Sequence, residues 1–307
     1  MKIDYAIIIK NKTRLEALIE RFNTKEQARF YIERADGDFK DYEIEHENFY
    51  TSLSLVQRTL SKTIKNKIVD RHFVPSYLFN PNHVIIVVGQ DGLVANVAKY
   101  ANNIPIVAIN PDKERYDGVL LPFNAVNFFP AIDAVMTSNF KAKVVSFAEA
   151  VLNDGQRLLA FNDLFIGASS HVSARYKIKY KNKSEEHSSS GIIVSTSTGS
   201  TGWLSSVINM TYGMIEFIEK PHGRKKTTRL AGEELMFAVR EPFASKKTQT
   251  GIQAGLLTAN AQLIIESLMP ANGVIFSDGI ETDFLKFNSG SIATIGVAKE
   301  KATLVTL

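Results

Sequence analysis

The stretch Val84-Ile85-Ile86-Val87-Val88-Gly89-Gln90-Asp91-Gly92 decides the fold of the first part of the chain. Its five consecutive apolar residues predict a strand buried on both faces, as in a parallel sheet covered by helices. The glycines that follow predict a tight turn opening a helix, which we expect over residues 93–101. Another apolar run at residues 104–109 predicts the next strand, so strands and helices alternate here as they do in an α/β layer.

The residues before this stretch continue the alternation. A strand is predicted at residues 5–9, and the apolar positions within residues 15–22 recur at helical spacing. Thr24 is a candidate N-cap for a second helix, with a glutamine three residues later that can reach back to it. Apolar residues spaced along 53–64 predict a third helix.

The second part of the chain reads as β structure. Residues 144–152 and 157–161 flank the turn Asn153-Asp154-Gly155 and predict a hairpin. We therefore expect an α/β domain over residues 1–125 that resembles a Rossmann fold, and a mostly β domain of sandwich type over residues 126–307. Further strands are predicted at residues 164–168, 174–180, 191–195, 235–239, 262–267 and 273–276.

The composition is that of a globular protein, since 45% of the 307 residues are hydrophobic and 22% are charged. The sequence contains no cysteine, which excludes disulfides, thiolate metal sites and cysteine nucleophiles. The six histidines lack partners at helical spacing, so we expect no metal site held by the protein alone.

The charges and apolar runs narrow the range of partners. The net charge of +4 is spread along the chain, and the basic patch Arg224-Lys225-Lys226 is more typical of a solvated loop than of a nucleic-acid site. Residues 1–10 lack the features of a signal peptide, and no run of about 18 apolar residues occurs. We expect a cytoplasmic protein that binds small anionic molecules, with neither a nucleic acid nor a membrane as partner.

The turn at residues 89–92 places an acid where a phosphate would bind. Main-chain amides at a helix N-terminus attract phosphate, but the spacing of Gly89, Gly92 and Ala95 differs from that of a dinucleotide-binding loop. The Asp91 carboxylate would repel a phosphate unless a metal ion lies between them or the acid accepts a proton from a reacting hydroxyl. This favours phosphoryl transfer, although an ordinary strand–turn–helix corner with a surface acid explains the same residues.

A second loop, Ser195-Thr196-Ser197-Thr198-Gly199-Ser200-Thr201-Gly202-Trp203, also follows a predicted strand. Its small residues let the backbone approach a ligand closely, but taken alone it reads as a polar surface loop. In combination with Gly89–Gly92 and with Asn162-Asp163, which lie in the same order along the chain, this loop resembles the NAD kinase family. Residues 110–118, Ser189-Ser190-Gly191 and 239–242 resemble the mitochondrial type of that family, and Phe276-Ser277-Asp278-Gly279 also fits, with Asp278 read as a structural turn residue.

The resemblance implies transfer of phosphate from ATP to the 2′-hydroxyl of the adenosine ribose of NAD, which gives NADP. Asp91 would accept the hydroxyl proton, Mg²⁺ would neutralise phosphate charge, and the chain would form a homo-oligomer. The resemblance also assigns two sets of binding residues. The ATP phosphates would contact Gly89, Gln90 and Gly92, and NAD would contact Asn162, Asp163, Ser190, Thr198, Gly199, Ser200, Thr201 and Trp203.

The chain departs from the family pattern at Gln90, which stands where the family has a second glycine. A side chain there either reaches a phosphate itself or weakens binding of the phosphate donor, and the backbone of a glycine can require a positive φ. The alternative to an active kinase is therefore a catalytically impaired nucleotide-binding or regulatory paralogue. Asp163 shortens the family's glutamate by one methylene group. The sequence leaves open whether the donor is ATP, another triphosphate or polyphosphate, and whether NADH is also a substrate.

Overall fold

The computed structural model describes residues 3–218 and 230–306. The described residues divide into two compact units. The first contains the chain up to Val144 together with the residues from Ala302 onward, and the second is Val145–Lys301. The sequence placed the division at residues 125/126; in the structure the first unit also takes in the helix that follows and the start of the next strand.

The first unit has the strand and helix alternation expected from the sequence. Its strands are β1 (Tyr5–Lys10), β2 (Lys65–Asp70), β3 (His83–Val88) and β4 (Pro105–Ile109). Its helices are α1 (Arg14–Phe22), α2 (Lys25–Arg34), α3 (Phe39–Leu60), α4 (Asp91–Ala98) and α5 (Phe129–Met136), with a 3-10 turn at Arg71–Ser76.

The four strands of this unit are parallel and lie in the order β2-β1-β3-β4. Residues 84–88 of β3 are all buried, and on one face Val84, Ile86 and Val88 share an apolar core with α3 and α5. The chain goes from β1 to β2 on one side of the sheet and from β3 to β4 on the other side, so the strand order reverses between β1 and β3. Ligands of open α/β sheets bind at the carboxyl ends of strands where the order reverses, and the residues that follow β3 are the Gly89 turn.

Helices α1 and α2 begin where the sequence provides caps. The Thr24 hydroxyl accepts the Gln27 N–H at 3.1 Å, as predicted. Thr13 and Glu16 form a complete capping box at the start of α1. Together with α3 these helices enclose a small separate core around Leu15 and Phe39.

The second unit is mostly β structure, as predicted, but it also contains a long helix that the sequence analysis missed. The strands are β5 (Ala142–Leu152), β6 (Arg157–Ala160), β7 (Asp163–Ala168), β8 (Ala174–Tyr180), β9 (Lys183–Ser189), β10 (Ile192–Ser195), β11 (Leu235–Val239), β12 (Ala254–Leu257), β13 (Leu263–Ser267), β14 (Gly273–Ser277), β15 (Ile280–Lys286) and β16 (Ile292–Val305). The helix is α6 (Trp203–Ile218), preceded by a 3-10 turn at Gly199–Thr201.

Two antiparallel sheets build the second unit. One has the order β12-β11-β10-β7-β14-β15, and the other contains β16-β13-β8-β9 with β5 and β6 attached to β16. Alternate residues of both sheets meet in one apolar core, for example Ile166 and Val194 of the first and Ile178 and Ile265 of the second. The sheets therefore pack face to face as a sandwich. The basic patch at residues 224–226 lies outside the described residues.

Candidate functional site

The loop at residues 89–92 connects a buried strand to a helix whose N-terminus has no side-chain cap. The Gly89 N–H donates to the Ile109 carbonyl oxygen at 3.2 Å, which ties the loop to the neighbouring strand. Gln90 is the N-cap residue of α4, and its side chain makes no capping hydrogen bond. Its φ of −106° is ordinary extended backbone, so the side chain at this position causes no backbone strain. The first-turn amides of α4 are therefore suited to an anion.

The Asp91 carboxylate, which the sequence analysis assigned as proton acceptor, holds a backbone turn. Its Oδ1 accepts the Leu120 N–H at 2.7 Å and its Oδ2 accepts the Val119 N–H at 3.1 Å. The turn begins at Gly118, whose φ of +66° favours glycine. An ionised carboxylate offers about four acceptor positions, so Asp91 keeps positions for a further partner.

The segment at residues 110–118 also contacts the phosphate loop through Gln90. The Gln90 side chain hydrogen-bonds to the Tyr116 hydroxyl, a contact that sequence analysis did not predict. The Tyr116 carbonyl oxygen in turn accepts the Asn110 side-chain amide at 2.9 Å. Arg115 of the segment pairs with Asp41 of α3 at 2.7 Å. Gln90 and Asp91 are thus both bound to one segment that α3 holds in place.

In the second unit, Asn162 and Asp163 are fixed by Asp278. The Asp278 carboxylate accepts the backbone N–H groups of Phe161, Asn162 and Asp163 at 3.1, 2.6 and 3.4 Å. The Asp278 N–H donates to the Asp163 carbonyl oxygen at 3.0 Å. Asp278 and Gly279 both have positive φ, as the two central residues of a type I′ hairpin turn do. The turn interpretation is confirmed, and the turn also anchors the predicted NAD-binding pair.

Burial and charge both act on the Asp163 carboxyl. Burial, and after it the negative charge of Asp278, raise the pKa of Asp163 from 3.8 to about 6. The two carboxyls lie in one small region because Asp278 binds the backbone on which Asp163 sits. A carboxyl of this kind exchanges its proton close to neutral pH.

The loop at residues 195–201 is attached to the same segment. The Thr196 N–H donates to the Asn162 carbonyl oxygen at 2.9 Å, and the Thr196 hydroxyl donates to the Phe161 carbonyl oxygen at 2.7 Å. A Cβ on Gly199 would lie 2.1 Å from the Asn162 carbonyl oxygen, so this position accepts only glycine. Thr196 and Gly199 therefore fix the loop that carries Thr198, Ser200 and Thr201 to the backbone of Asn162.

Ser190 and Trp203 lie along a groove of about 1050 Å³ in the second unit. The indole of Trp203 stacks on Phe165 with ring centres 5.7 Å apart, and the Arg240 guanidinium lies 5.4 Å from the indole centre. Phe165 connects the groove to the cluster around Asn162, because it lies two residues after Asp163 in β7. The groove thus has aromatic walls, which suit a planar ligand, and a charged lining of both signs that includes Arg240, Glu241, Glu281 and Lys286.

Among the described residues, no three His, Asp or Glu side chains converge in a way that could hold a metal ion. Within residues 3–218 and 230–306, no helix is both long and apolar enough to cross a membrane.

Comparison with known proteins supports a relation to NAD kinases. No family model matches the sequence. An NAD kinase of Chlorobaculum tepidum is 27% identical over 121 residues, which span 38% of this chain and 42% of that protein. The similar stretch therefore covers less than half of the curated relative.

Solved structures resemble the chain over nearly its whole length. A yeast NADH kinase crystallised with NADH matches with a TM-score of 0.62 and 12% identity, and covers 100% of this chain and 84% of its own. An NAD kinase of Archaeoglobus fulgidus in complex with ATP matches with a TM-score of 0.55 and 14% identity, over 98% of this chain and 92% of its own. The chain has the two-part α/β and β fold of these NAD and NADH kinases, and the curated relative supports the same family.

Proposed function

We propose that the chain is an NAD kinase that phosphorylates the 2′-hydroxyl of the adenosine ribose with ATP as donor. In this reaction a bond forms between the 2′-oxygen and the γ-phosphorus, and the bond from that phosphorus to the β,γ-bridging oxygen breaks. ADP leaves with the bond electrons, and the proton of the 2′-hydroxyl passes to Asp91. The products are NADP and ADP.

The observation that supports this proposal most strongly is the cluster around Asn162. Three stretches separated in sequence, at residues 161–163, 195–201 and 277–279, are joined by main-chain and side-chain hydrogen bonds. Gly199 packs against the Asn162 backbone, and the Asp278 carboxylate accepts three consecutive backbone amides, so this segment is more strongly fixed than an ordinary surface loop. The Asn162 and Asp163 side chains are therefore held by a rigid support, as substrate-binding groups require.

The proposed roles follow from the chemistry of each group. Asp91 keeps acceptor positions beyond its two amide bonds and would receive the hydroxyl proton as the new O–P bond forms. Gly89, Gln90 and Gly92 would place backbone donors on the phosphates, and Asn162 and Asp163 would bind the hydroxyls and base of NAD. A single carboxylate suits a Mg²⁺ ion that arrives with the triphosphate, and that ion would neutralise phosphate charge next to Asp91.

The geometry of Gln90 does not favour the impaired paralogue. Its φ is negative, so replacing the family's glycine with Gln90 does not strain the backbone. Its side chain hydrogen-bonds to Tyr116. We propose that Gln90 holds the 110–118 segment in place of a direct phosphate contact. The resemblance of that segment to the mitochondrial type of NAD kinase remains part of the proposal.

The test is formation of NADP from NAD, ATP and Mg²⁺ by the purified protein, with NADH and other triphosphates as parallel substrates. We expect product with the wild type and a loss of at least a hundredfold with Asp91→Asn. Asp133→Asn is the matched control, because it makes the same change at an exposed position of α5. Absence of product with every donor and acceptor would refute the proposal.

A further inference from the structure

Helix α3 buries an acidic residue, Glu45, to which the proposed reaction assigns no role. Only 5% of Glu45 is exposed. A buried carboxylate is costly unless it is paired and hydrogen-bonded. Glu45 has partners on two other elements, because its carboxylate forms an ion pair with the Arg14 guanidinium of α1 and a hydrogen bond with the Tyr116 hydroxyl. It therefore joins α1 and α3 to the 110–118 segment.

Ion pairs next to Glu45 hold the same segment. The Arg14 guanidinium also contacts the Asp41 carboxylate of α3 at 2.8 Å, and Asp41 in turn contacts Arg115 of the segment at 2.7 Å. Arg115 directly precedes Tyr116 in the chain. The position of Tyr116 beside α3 is therefore fixed by its neighbour as well as by its own hydroxyl.

The Glu45 carboxylate sets the direction of the hydrogen bonds that lead to the phosphate loop. A carboxylate paired with a guanidinium only accepts hydrogen bonds, so the Tyr116 hydroxyl donates its one proton to Glu45. The hydroxyl oxygen is then left as an acceptor, and the side-chain amide nitrogen of Gln90 is the donor in the second contact. Glu45, Tyr116 and Gln90 thus form one ordered chain of hydrogen bonds that ends at the start of α4.

This chain of hydrogen bonds determines where the Gln90 side chain lies. Gln90 is the N-cap residue of α4, and its side chain makes no capping hydrogen bond. The amide oxygen of a glutamine is an acceptor, so a side chain that was not held could itself bind the uncapped amides of the first turn. The contact with Tyr116 directs the Gln90 side chain to the 110–118 segment instead. The first-turn amides of α4 therefore stay available to an anion.

We propose that Glu45 and Tyr116 are positioning residues for the phosphate donor, which hold the Gln90 side chain away from the first-turn amides of α4 so that these amides bind the triphosphate. The proposal rests on the proposed function in one respect, namely that a triphosphate binds at residues 89–92. It is independent of the acceptor nucleotide. It predicts that Tyr116 acts on donor binding through Gln90.

The first test is calorimetric titration with the non-hydrolysable ATP analogue AMP-PNP and Mg²⁺, which requires no turnover. Tyr116→Phe removes the hydroxyl and keeps the ring. We expect its Kd for the analogue to rise roughly three- to tenfold, the range for the loss of one hydrogen bond, and its KM for ATP to rise more than its kcat falls. Tyr31→Phe is the matched control, because Tyr31 is a 54% exposed tyrosine of α2 in the same unit. Its Kd should equal that of the wild type.

A double-mutant cycle separates this role from a merely structural one. If Tyr116 acts through Gln90, Tyr116→Phe should change Kd by less than about twofold in a Gln90→Ala background. A general loosening of the 110–118 segment would raise Kd equally in both backgrounds, and that result would overturn the proposal.

Glu45 is tested by a pair of variants. Glu45→Ala should raise Kd as much as Tyr116→Phe does, whereas Glu45→Gln should restore most of the affinity, because its amide oxygen still accepts the Tyr116 hydroxyl proton. Equal affinities of Glu45→Ala and the wild type would remove Glu45 from the proposal.

The outcomes distinguish this inference from the proposed reaction. A wild type that binds the analogue with the expected coupling but forms no NADP would refute the reaction and support the positioning role. A wild type that forms NADP, with an unchanged Kd in Tyr116→Phe, would support the reaction and refute the positioning role. A wild type that does not bind the analogue would overturn the positioning role as well.

Discussion

The buried carboxyl of Asp163 makes the stability of the second unit depend on pH. Its pKa is raised from 3.8 to about 6, because burial and then the charge of Asp278 disfavour the ionised form. Between about pH 4 and pH 6 the folded chain therefore holds a proton on Asp163 that the unfolded chain has lost. The contribution of this group to the free energy of unfolding is present at low pH and is lost as the pH rises through the folded-state pKa.

The size of this effect follows from the shift in pKa. A shift from 3.8 to about 6 corresponds to roughly 3 kcal/mol, at about 1.4 kcal/mol per pH unit. Asp163→Asn cannot ionise. We therefore expect the free energy of unfolding of Asp163→Asn, relative to the wild type, to increase by roughly 2–3 kcal/mol between pH 4 and pH 7.5. Subtracting the variant-minus-wild-type difference in unfolding free energy at pH 4 from that at pH 7.5 cancels any pH-independent effect of the introduced amide side chain.

Urea titrations followed by the fluorescence of Trp203 measure this difference in the unit that contains Asp163. Asp154→Asn is a control in which the pH dependence should have the opposite sign. The backbone N–H of Gln156, and after it the Gln156 side chain, lower the pKa of the exposed Asp154. That variant should lose stability relative to the wild type as the pH rises from below 4. A relative stability of Asp163→Asn that is flat with pH, or that falls towards neutral pH, would show that the carboxyl is not destabilised by its surroundings.

Further variants test the proposed roles. Asp91→Asn should lower kcat for NADP formation by roughly 10²–10⁴ while NAD still binds, and steady-state kinetics with a near-normal kcat would assign the proton to another group. Asn162→Ala should raise KM for NAD more than it lowers kcat; the reverse ratio would contradict a binding role. Gly199→Ala should cost roughly 1–3 kcal/mol of unfolding free energy through its clash, whereas Gly232→Ala, where a Cβ meets nothing within 4 Å, should not; equal urea midpoints would refute the packing argument. Gln90→Gly should raise KM for ATP without creating activity that the wild type lacks, and new turnover in this variant would favour the impaired paralogue.

Elements with a strong local pattern could be predicted from the sequence. The apolar runs of β3 and β4 indicate strands without any knowledge of the strands beside them. The turn at Asn153–Gly155 joins β5 and β6 in the predicted hairpin. The helical face of α1 and the Thr24 cap of α2 also depend on neighbours within one or two turns. These features could be predicted because their physical cause lies within a few residues.

Elements that depend on distant partners were missed. Strand β9 is a polar, serine-containing stretch that forms a strand because seven of its residues pair with β8. Helix α6 contains β-branched and aromatic residues that favour a helix only weakly, so local propensity does not predict it. The support of Asp163 by Asp278 joins residues that are 115 positions apart, and no local pattern indicates it. The hydrogen bonds that hold the predicted site residues therefore could not be predicted from the sequence.

The last strand has a consequence for synthesis of the protein. Thr303 and Leu304 of β16 pair with β4, and Val305 joins the core formed by the first strands. During translation, β4 leaves the ribosome long before these residues exist, so its outer edge at Pro105 and Ile106 exposes unpaired main-chain groups. The nascent first unit must wait for nearly two hundred further residues before that edge is covered. At about 5–20 residues per second, this delay is on the order of 10–40 s, during which a chaperone or the second unit's folding must keep the open edge from pairing with another chain.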